Sequence, residues 1–553
     1  MEMKNKNNHK SSDLIPMQKL SSEVEASQKP LLNKMSNQLL PNDVRPRAAN
    51  FTNKNIVIQR QTPPKMGVSK ITLGIIFGIA TIAIITGVAV GFYWSSIFDR
   101  ILRHELILSP TSQSYLLWEK TPIPMYLKVY LFNWTNPHDF KNPESKPHFN
   151  ELGPYVFQEI DYKVNQIWND NETVTFQQKR IWIFQESMSN GTLNDRVTNL
   201  NPIAASVGYQ MRYKSEFIQR MVNIALEMFN ESTTITKSVR EVLFDGYEDK
   251  FLEVATKLNL TTVPYTRFGW FYARNGSDFN DGTFNVRTGL STLTSTGILQ
   301  EWNYSNKSKY FPGQCGHING TLGDLWPVLP DNATVPVFAP DVCTLLNLEY
   351  HNTSEHNGLI GKKFISTSRM FDNGTKVPSR ACYCQGVECQ PSGTLNVSSC
   401  KFNAPAFVSL PHFNLADESY INAVTGLKPD QEKHQFYMVV QPDVGVPLQV
   451  RARLQLNLLV QPSKVIKIFK KIPRVYMPIL WFSQEADLTP EYTKQIQFIL
   501  TLPTLGEVTF YGIASIGLLL SFIGFLLCLR GWKKADDAQR LISKREETGV
   551  PPN

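Results

Sequence analysis

The chain is 553 residues long, 42% hydrophobic and 19% charged, with a formal net charge of +8. That composition excludes a fibrous or wholly disordered protein and leaves room for two or three ordinary domains. The first 70 and last 24 residues together carry +9, leaving the interior at −1, so the basic character belongs to the tails and is no argument for nucleic-acid binding.

Residues 1–70 are rich in Asn, Ser, Lys, Gln and Pro and are expected to form a disordered, basic cytosolic tail. Ile71 to Trp94 then runs 24 residues without a charge. That is enough to cross about 30 Å of hydrocarbon as a helix. A long hydrophilic leader precedes it, so it reads as an anchor rather than a cleaved signal. Val508 to Leu529 is a second uncharged stretch, of 22 residues. Arg60, Lys65 and Lys70 flank the first span, and Arg530, Lys533 and Lys534 the second. The positive-inside rule therefore places both termini in the cytosol and residues 95–507 outside or in a lumen. Gly74 and Gly78, Gly87 and Gly91, and Gly517 and Ser521 form small-residue faces that serve either span pairing or self-association.

Within the outer region, residues 124–134 and 173–184 are β-branched and aromatic, as strands are. The segment 213–229 has a helical period: Phe217, Met221, Ile224, Ala225 and Met228 share one face, which is expected to pack. A second helix is expected over 238–247, where Ser238 and Glu241 have capping-box spacing. In 448–458 Leu, Val and Ala alternate strictly with Gln449, Arg451, Arg453, Gln455 and Asn457, predicting a strand with one buried and one wet face.

The same region carries thirteen N-x-S/T sequons, at Asn133, Asn171, Asn190, Asn230, Asn259, Asn275, Asn303, Asn306, Asn319, Asn332, Asn352, Asn373 and Asn396. Such a set fits a glycosylated ectodomain. Six of the seven cysteines, Cys315, Cys343, Cys382, Cys384, Cys389 and Cys400, lie there within 86 residues. An even number in an oxidising compartment reads as three disulfides among fifteen possible pairings. Zinc would want CxxC pairs or spaced histidines, and here only His317 is near. The catalytic motifs GxSxG, HExxH, GxGxxG and the Walker loop do not occur in the ectodomain, and His412 has no nucleophile beside it, so the reading is a non-enzyme without cofactor or metal.

Cys528, at the cytosolic end of the second span, is either a lipid-facing residue or a palmitoylation candidate. Asp537 followed by Leu541 and Ile542 has the spacing of an acidic dileucine signal read by clathrin adaptors, which favours endosomes and lysosomes, with passage through the plasma membrane.

Two spans around a disulfide-bonded loop also describe a two-span ligand-gated channel. Ordered stretches of the loop decide between them: NWTNP (133–137), ELGPYVFQE (151–159), NLNPIAAS (199–206), FAPDVC (338–343), CYC (382–384), PAFVSLPHF (405–413), GLKPDQEKH (426–434), RLQLNLLVQPS (453–463) and MPILWF (477–482). With these the sequence resembles the class B scavenger receptors; only the long N-terminal tail departs from the pattern. The resemblance implies an α+β ectodomain, an irregular antiparallel β-barrel with a lipid tunnel, capped by apical helices at about 205–247. It implies Cys315–Cys382, Cys343–Cys400 and Cys384–Cys389 bridges. It also implies a receptor for fatty acids, sterols, phospholipids or lipoproteins, or alternatively a sorting receptor for a luminal hydrolase; homo-oligomers are left open. The candidate ligand residues at the apex are Arg212, Lys214, Phe217, Arg220, Met221, Lys237 and Arg240. After the apex sequon stand Glu231, Ser232 and Thr233, where some plasma-membrane members have lysines, so the resemblance does not extend to polyanion binding.

Overall fold

A computed structural model describes residues 69–547 except 143, 259, 262, 330–333 and 385–388; most of the N-terminal tail, Asn259 and Asn332 therefore lie outside the described residues. Eleven strands form one antiparallel path: β1 (Met125–Trp134), β2 (Phe149–Asn169), β3 (Thr173–Phe184), β4 (Thr283–Arg287), β5 (Leu299–Trp302), β6 (Val335–Ala339), β7 (Thr344–His356), β8 (Leu359–Ile365), β9 (Tyr437–Gln441), β10 (Val446–Val460) and β11 (Val475–Asp487). The longer helices are α1 (Lys70–Leu106), α2 (Pro202–Met211), α3 (Glu216–Met228), α4 (Lys250–Lys257) and α5 (Pro490–Glu547).

Spatial order follows chain order from β6 to β11, after which β11 pairs with β1 and the sheet continues through β5. Two short strands, Thr394–Asn396 and Ala406–Ser409, extend it at β10. The two ends of the path nearly meet. The Leu299 N–H of β5 donates to Gly320 O, and Thr321 exchanges hydrogen bonds with Pro336 and Phe338 of β6. The sheet thus nearly closes into a barrel, which leaves few unpaired edges. Its core holds Trp134, Tyr155, Phe176, Phe284, Phe338 and Phe364, all under 2% exposed.

β1, β3 and β10 coincide with the predicted strands, but the wet face assigned to β10 is only half-exposed at Gln449, Arg451 and Arg453 and is lost at Gln455 and Asn457. Gln455 and Asn457 are fully buried, because the turn Pro411–Phe413 covers that face. Buried amides are tolerated when their hydrogen bonds are made. Gln455 donates to Asn457 Oδ1 (2.7 Å) and accepts from the His412 N–H (2.6 Å), while Asn457 donates to Ser409 Oγ (3.0 Å). Arg451 binds Asp487 (2.7 Å), and Arg453 donates to the Glu432 carbonyl (2.8 Å). Alternation in the sequence marked two faces correctly; the polar one is half-exposed at Gln449, Arg451 and Arg453 and buried at Gln455 and Asn457.

α1 and α5 each hold a segment long and apolar enough to cross a membrane, which fits a two-pass membrane protein. Both run past the spans read from hydropathy: α1 continues to Leu106, and α5 begins at Pro490, some 27 Å before the second span at 1.5 Å per residue. Tyr492, Ile496 and Leu500 of that extension pack against Leu359, Val439, Leu448 and Leu488, joining helix to barrel. The two spans meet through glycine. A Cβ on Gly87 would lie 2.6 Å from the Phe510 carbonyl, and one on Gly517 would lie 2.9 Å from that of Ala80. Gly74 and Gly78 face no described atom within 4 Å. Close backbone approach is what small residues allow between membrane helices. Gly87→Leu should therefore destabilise the detergent-solubilised protein by about 1–3 kcal/mol, as overpacking does, whereas Gly74→Leu should not. Thermal unfolding of both variants checks this; equal effects would contradict the pairing.

Candidate functional site

The apex is built from α2, α3 and α4. Asn201 caps α2, accepting from the Ile203 and Ala204 N–H groups (3.0 and 3.2 Å), and Pro202 stands where a helix needs no donor. Asp249 caps α4 through the Leu252 N–H (2.8 Å). The helix expected over 238–247 is shorter than expected and covers residues 239–245. Thr234–Ser238 is a strand paired with Arg196–Leu200, and Glu241–Asp245 makes a single wide turn ended by Gly246 at φ +69°. The capping box itself forms: Ser238 N–H and Oγ donate to Glu241 (2.9 and 2.7 Å). It opens a short segment only, because the chain then leaves for Tyr247 and Phe268, which pair as a two-residue ladder.

α3 forms as its period predicts but packs by a different face. Leu226 and Asn223 are the buried positions, and Asn223 Oδ1 accepts from the Lys467 N–H (2.8 Å) while Lys467 Nζ reaches Glu227 (2.8 Å). Phe217, Met221, Ile224 and Met228, expected to pack, are 73, 54, 55 and 68% exposed. A contiguous apolar stripe turned to solvent is unusual in a protein without a partner for it. The nearby cations are mostly engaged. Arg212 stacks on Tyr209 and Tyr213 (3.5 and 4.6 Å), Lys237 lies over Tyr247 (4.8 Å), and Arg240 approaches Asp245 (3.9 Å). Arg220 meets Glu216 at 3.4 Å on the open surface, a pair of little energetic weight; Lys214 is exposed. The apex therefore presents apolar surface more than net positive charge.

Below it, the buried face of β2 carries Glu159, Asp161 and Lys163, which sequence reasoning passed over although QEIDYK alternates visibly. Trp182 and Gln484 donate to Glu159 (3.0 and 2.9 Å), Gln178 to Asp161 (2.7 Å), and Lys163 pairs with Asp324 (2.7 Å). Arg180 and Arg274 meet Asp281 (3.3 and 2.9 Å), and Arg274 also meets Asp341 (2.8 Å). Burial, reinforced by Asp161, pushes the Glu159 carboxyl up to about 8. Burial pushes Asp341 up as well, but Arg274 and Lys401 overcome it and hold that carboxyl well below its usual range. Charges this deep persist only when paired.

His412, at φ +55°, is buried and hydrogen-bonded at both nitrogens. Its Nδ1 lies 3.0 Å from the Lys428 N–H and must accept, so the neutral ring carries its proton on Nε2 and donates to Glu151 (2.6 Å), which also accepts from Trp481 (2.6 Å). The His434 ring stacks on His412 at 4.3 Å, and its Nδ1 accepts from the Asp430 N–H (2.9 Å). The geometry is that of a structural clamp between β2, β11 and the 411–434 segment. Burial pushes the Glu151 carboxyl up, but the hydrogen bonds from His412 and Trp481 outweigh it and hold the carboxyl below its ordinary range. Burial, then His412, lowers His434 from 6.5 to about 4. Between those values the unfolded chain binds a proton that the folded chain refuses, so stability falls as pH drops through that window. His434→Asn, which keeps an acceptor for the Asp430 N–H, should flatten this fall in thermal unfolding measured from pH 6.5 to 4; an unchanged slope would remove His434 from the account.

In the structure Cys315 is bonded to Cys382, Cys343 to Cys400 and Cys384 to Cys389. Among the sequon asparagines, Asn171, Asn190, Asn230, Asn275, Asn303, Asn306, Asn319 and Asn352 are exposed, and Asn133 and Asn373 half-buried. Asn396 differs from the other sequon asparagines: it lies in a sheet strand, is 9% exposed, and accepts from the Ser398 N–H (3.0 Å). Peptide mapping after enzymatic deglycosylation should find Asn396 unmodified; an occupied Asn396 would require that strand to open. Cys528, at the end of the second span, is exposed, and in the tail Asp537 and exposed Leu541 stand one turn apart on α5; the Ile542 side chain lies outside the described residues.

Two cavities bear on ligands. A polar cleft of about 690 Å³ lies beside β3 and β4, lined by Thr173, Thr175, Asn285 and Arg287 and edged by Asn171 and Asn306. An apolar cavity of about 20 Å³ lies where the barrel rim meets the apex, between Leu131, Leu200, Val242, Tyr247, Trp270 and Ile479.

A near-closed antiparallel barrel slung between two apolar helices, with an apical helix cluster, defines a class of membrane protein, and residues 78–528 match the CD36 family. The chain belongs to that family, the class B scavenger receptors. It is 38% identical to Protein peste of Drosophila melanogaster over 82% of this chain and 81% of that one. It is 31% identical to Scavenger receptor class B member 1 of Cricetulus griseus (82% and 89% covered) and 26% identical to Lysosome membrane protein 2 of Homo sapiens (79% and 91% covered).

Proposed function

We propose that this protein is a membrane receptor that takes up lipids or lipid-bearing particles at its apex and passes lipid along the barrel toward the bilayer, with both termini in the cytosol. The observation that carries the reading is the exposed stripe of Phe217, Met221, Ile224 and Met228 on α3. Water penalises such surface, and a lipid or lipoprotein surface relieves the penalty at about 1.5–3 kcal/mol per side chain fully covered. The flanking cations are interspersed with Glu216, Glu227 and Asp245, so the surface offers a mixed charge rather than a basic patch for polyanion capture. Relatives named scavenger receptor support a receptor role.

A second reading, a lysosomal receptor for a luminal hydrolase, draws on the resemblance to Lysosome membrane protein 2 and on Asp537, Leu541 and Ile542 in the tail. An apolar α3 face serves a protein cargo as well as a lipid one. Cells expressing the full chain with Met221→Asp and Ile224→Asp should lose uptake of labelled lipid from lipoproteins by about tenfold or more, at equal surface amount by biotinylation. Unchanged uptake would remove the apex from lipid capture, and lost capture of a hydrolase in the same cells would favour the second reading.

A further inference from the structure

The polar cleft beside β3 and β4 has an ordered floor. Strand register sets Asn169 and Arg287 on either side of Thr173, and Thr175 opposite Asn285, which in turn faces Glu301. Residues opposite one another share a face of the sheet. The alternate residues Val174, Phe176, Phe284 and Val286 take the core face. Hydrogen bonds tie the floor together. Asn169 and Asn285 each donate from Nδ2 to both Thr173 (3.1 and 2.9 Å) and Thr175 (3.0 and 2.9 Å). Their amide protons are thus committed to the threonines, and their side-chain carbonyl oxygens have no partner among the described residues. An amide held by its donors presents an acceptor of fixed direction.

One lip of the cleft carries a residue in an unusual place. Trp302, at the end of β5, exchanges backbone hydrogen bonds with Ser305 (2.9 and 3.2 Å), so Asn303 and Tyr304 form a two-residue hairpin turn. Their φ angles are +52° and +61°. Such turns favour glycine or asparagine at both central positions, because bulkier side chains are strained there. Asn303 obeys that rule and Tyr304 breaks it, although its ring is 77% exposed and finds little packing. Strain held without packing to justify it points to function. An aromatic ring beside a floor of hydroxyls and amides suits a sugar. The C–H face of the sugar stacks on the ring while its hydroxyl edge exchanges hydrogen bonds with the floor.

Charge and size narrow the class. Arg287 donates to Gln300 (3.1 Å), Glu172 accepts from the Ser291 N–H (3.1 Å), and Glu301 is exposed. One cation against two carboxylates in the lining makes a poor site for phosphate or sulfate. β3 and β4 are each paired on both sides, so neither can take a peptide as an added strand. The volume, about 690 Å³, is that of a small-molecule site. Two sequon asparagines, Asn171 and Asn306, stand in the lining itself. Asn171 Oδ1 accepts from Thr173 (2.7 Å), which leaves Nδ2, the atom that bears an N-linked glycan, free. We propose that the cleft binds a neutral oligosaccharide containing N-acetylglucosamine, with Tyr304 as its stacking platform and Asn169, Thr175 and Asn285 as its hydrogen-bonding floor. The sugar is the chain's own glycan on Asn171 or Asn306, or that of a neighbouring glycoprotein. The assignment does not depend on the lipid-receptor reading.

The test uses the full chain in detergent, expressed with high-mannose glycans, and has two arms. In the first, an endoglycosidase acts on the folded protein and mass spectrometry follows each site. A glycan seated in the cleft should leave Asn171 or Asn306 about tenfold more slowly than it leaves the exposed Asn319 and Asn352. Tyr304→Gly should abolish that difference. In the second arm, the chain with Asn171→Gln and Asn306→Gln is titrated with fluorescent chitotriose. Binding should weaken about tenfold when Tyr304→Gly is added. Protection in the first arm assigns the cleft to the chain's own glycan; binding in the second without protection in the first assigns it to a neighbour's. Uniform release together with no chitotriose binding would overturn the proposal and leave the cleft to water. Protection or binding that Tyr304→Gly leaves unchanged would overturn it as well. Glycine adopts positive φ freely, so the melting temperature of Tyr304→Gly should match or exceed that of the wild type. A lower one would make the ring a packing residue and overturn its role as a platform.

Discussion

Every other part of the ectodomain depends on the ladder between its first and last strands. α1 delivers the chain to the barrel and α5 takes it away, and the two helices are in contact, so the ends of the ectodomain must meet. They meet as β1 on β11, from Met125 opposite Ala486 to Leu131 opposite Leu480. Tyr130 stacks on Trp481 at 3.8 Å across that seam, and Trp481 donates to Glu151 of β2, which holds His412. One seam thus fixes the barrel, the 411–434 segment and the exit of both spans. Its partners lie some 350 residues apart in sequence, so its contacts are among the costliest in loop entropy.

Closing the barrel early in space has a consequence for the apex. The region from β3 to β4 is an excursion from the rim, and the buried side chains of α2, α3 and α4 are Pro202, Ile203, Ala204, Ala205, Asn223, Leu226 and Leu252. α3 satisfies its packing with Leu226 and the Asn223–Lys467 hydrogen bond, which frees its broadest apolar face for something other than the fold. The barrel interior shows the opposite choice. Glu159, Asp161, Lys163 and Arg180 are buried at a desolvation cost and are held by partners, Arg180 by Glu159 and Asp281, Lys163 by Asp324 and Asp161 by Gln178.

Much of this was legible in the sequence. The two spans, β1, β3 and β10 are local patterns: uncharged length, β-branched content and a period of two. α3 was legible as a helix but not in its orientation, since periodicity says which residues share a face and not which face meets a neighbour. Gln455 and Asn457 misled for the same reason: a polar residue alternating with leucine signals water only when nothing covers it, and the covering turn at Pro411–Phe413 is over forty residues away. The Ser238–Glu241 box does open a helical segment, but that segment stops at Asp245, short of the expected 247, because the positive φ at Gly246 and the Tyr247–Phe268 ladder end it. The polar cleft was legible only in part. Thr173 and Thr175 alternate along β3, but Asn285 and Tyr304 join them only through the assembled sheet.

The central claim is that a barrel sealed by β1 and β11 presents an apolar α3 face as its receptor surface. Amide hydrogen exchange on the full chain in nanodiscs, with and without a phospholipid and cholesteryl ester emulsion, tests it most directly. Protection gained in 213–229, with the amides of β1 and β11 slow and unchanged, is the predicted result. Protection gained elsewhere on the ectodomain while 213–229 exchanges as before would contradict it.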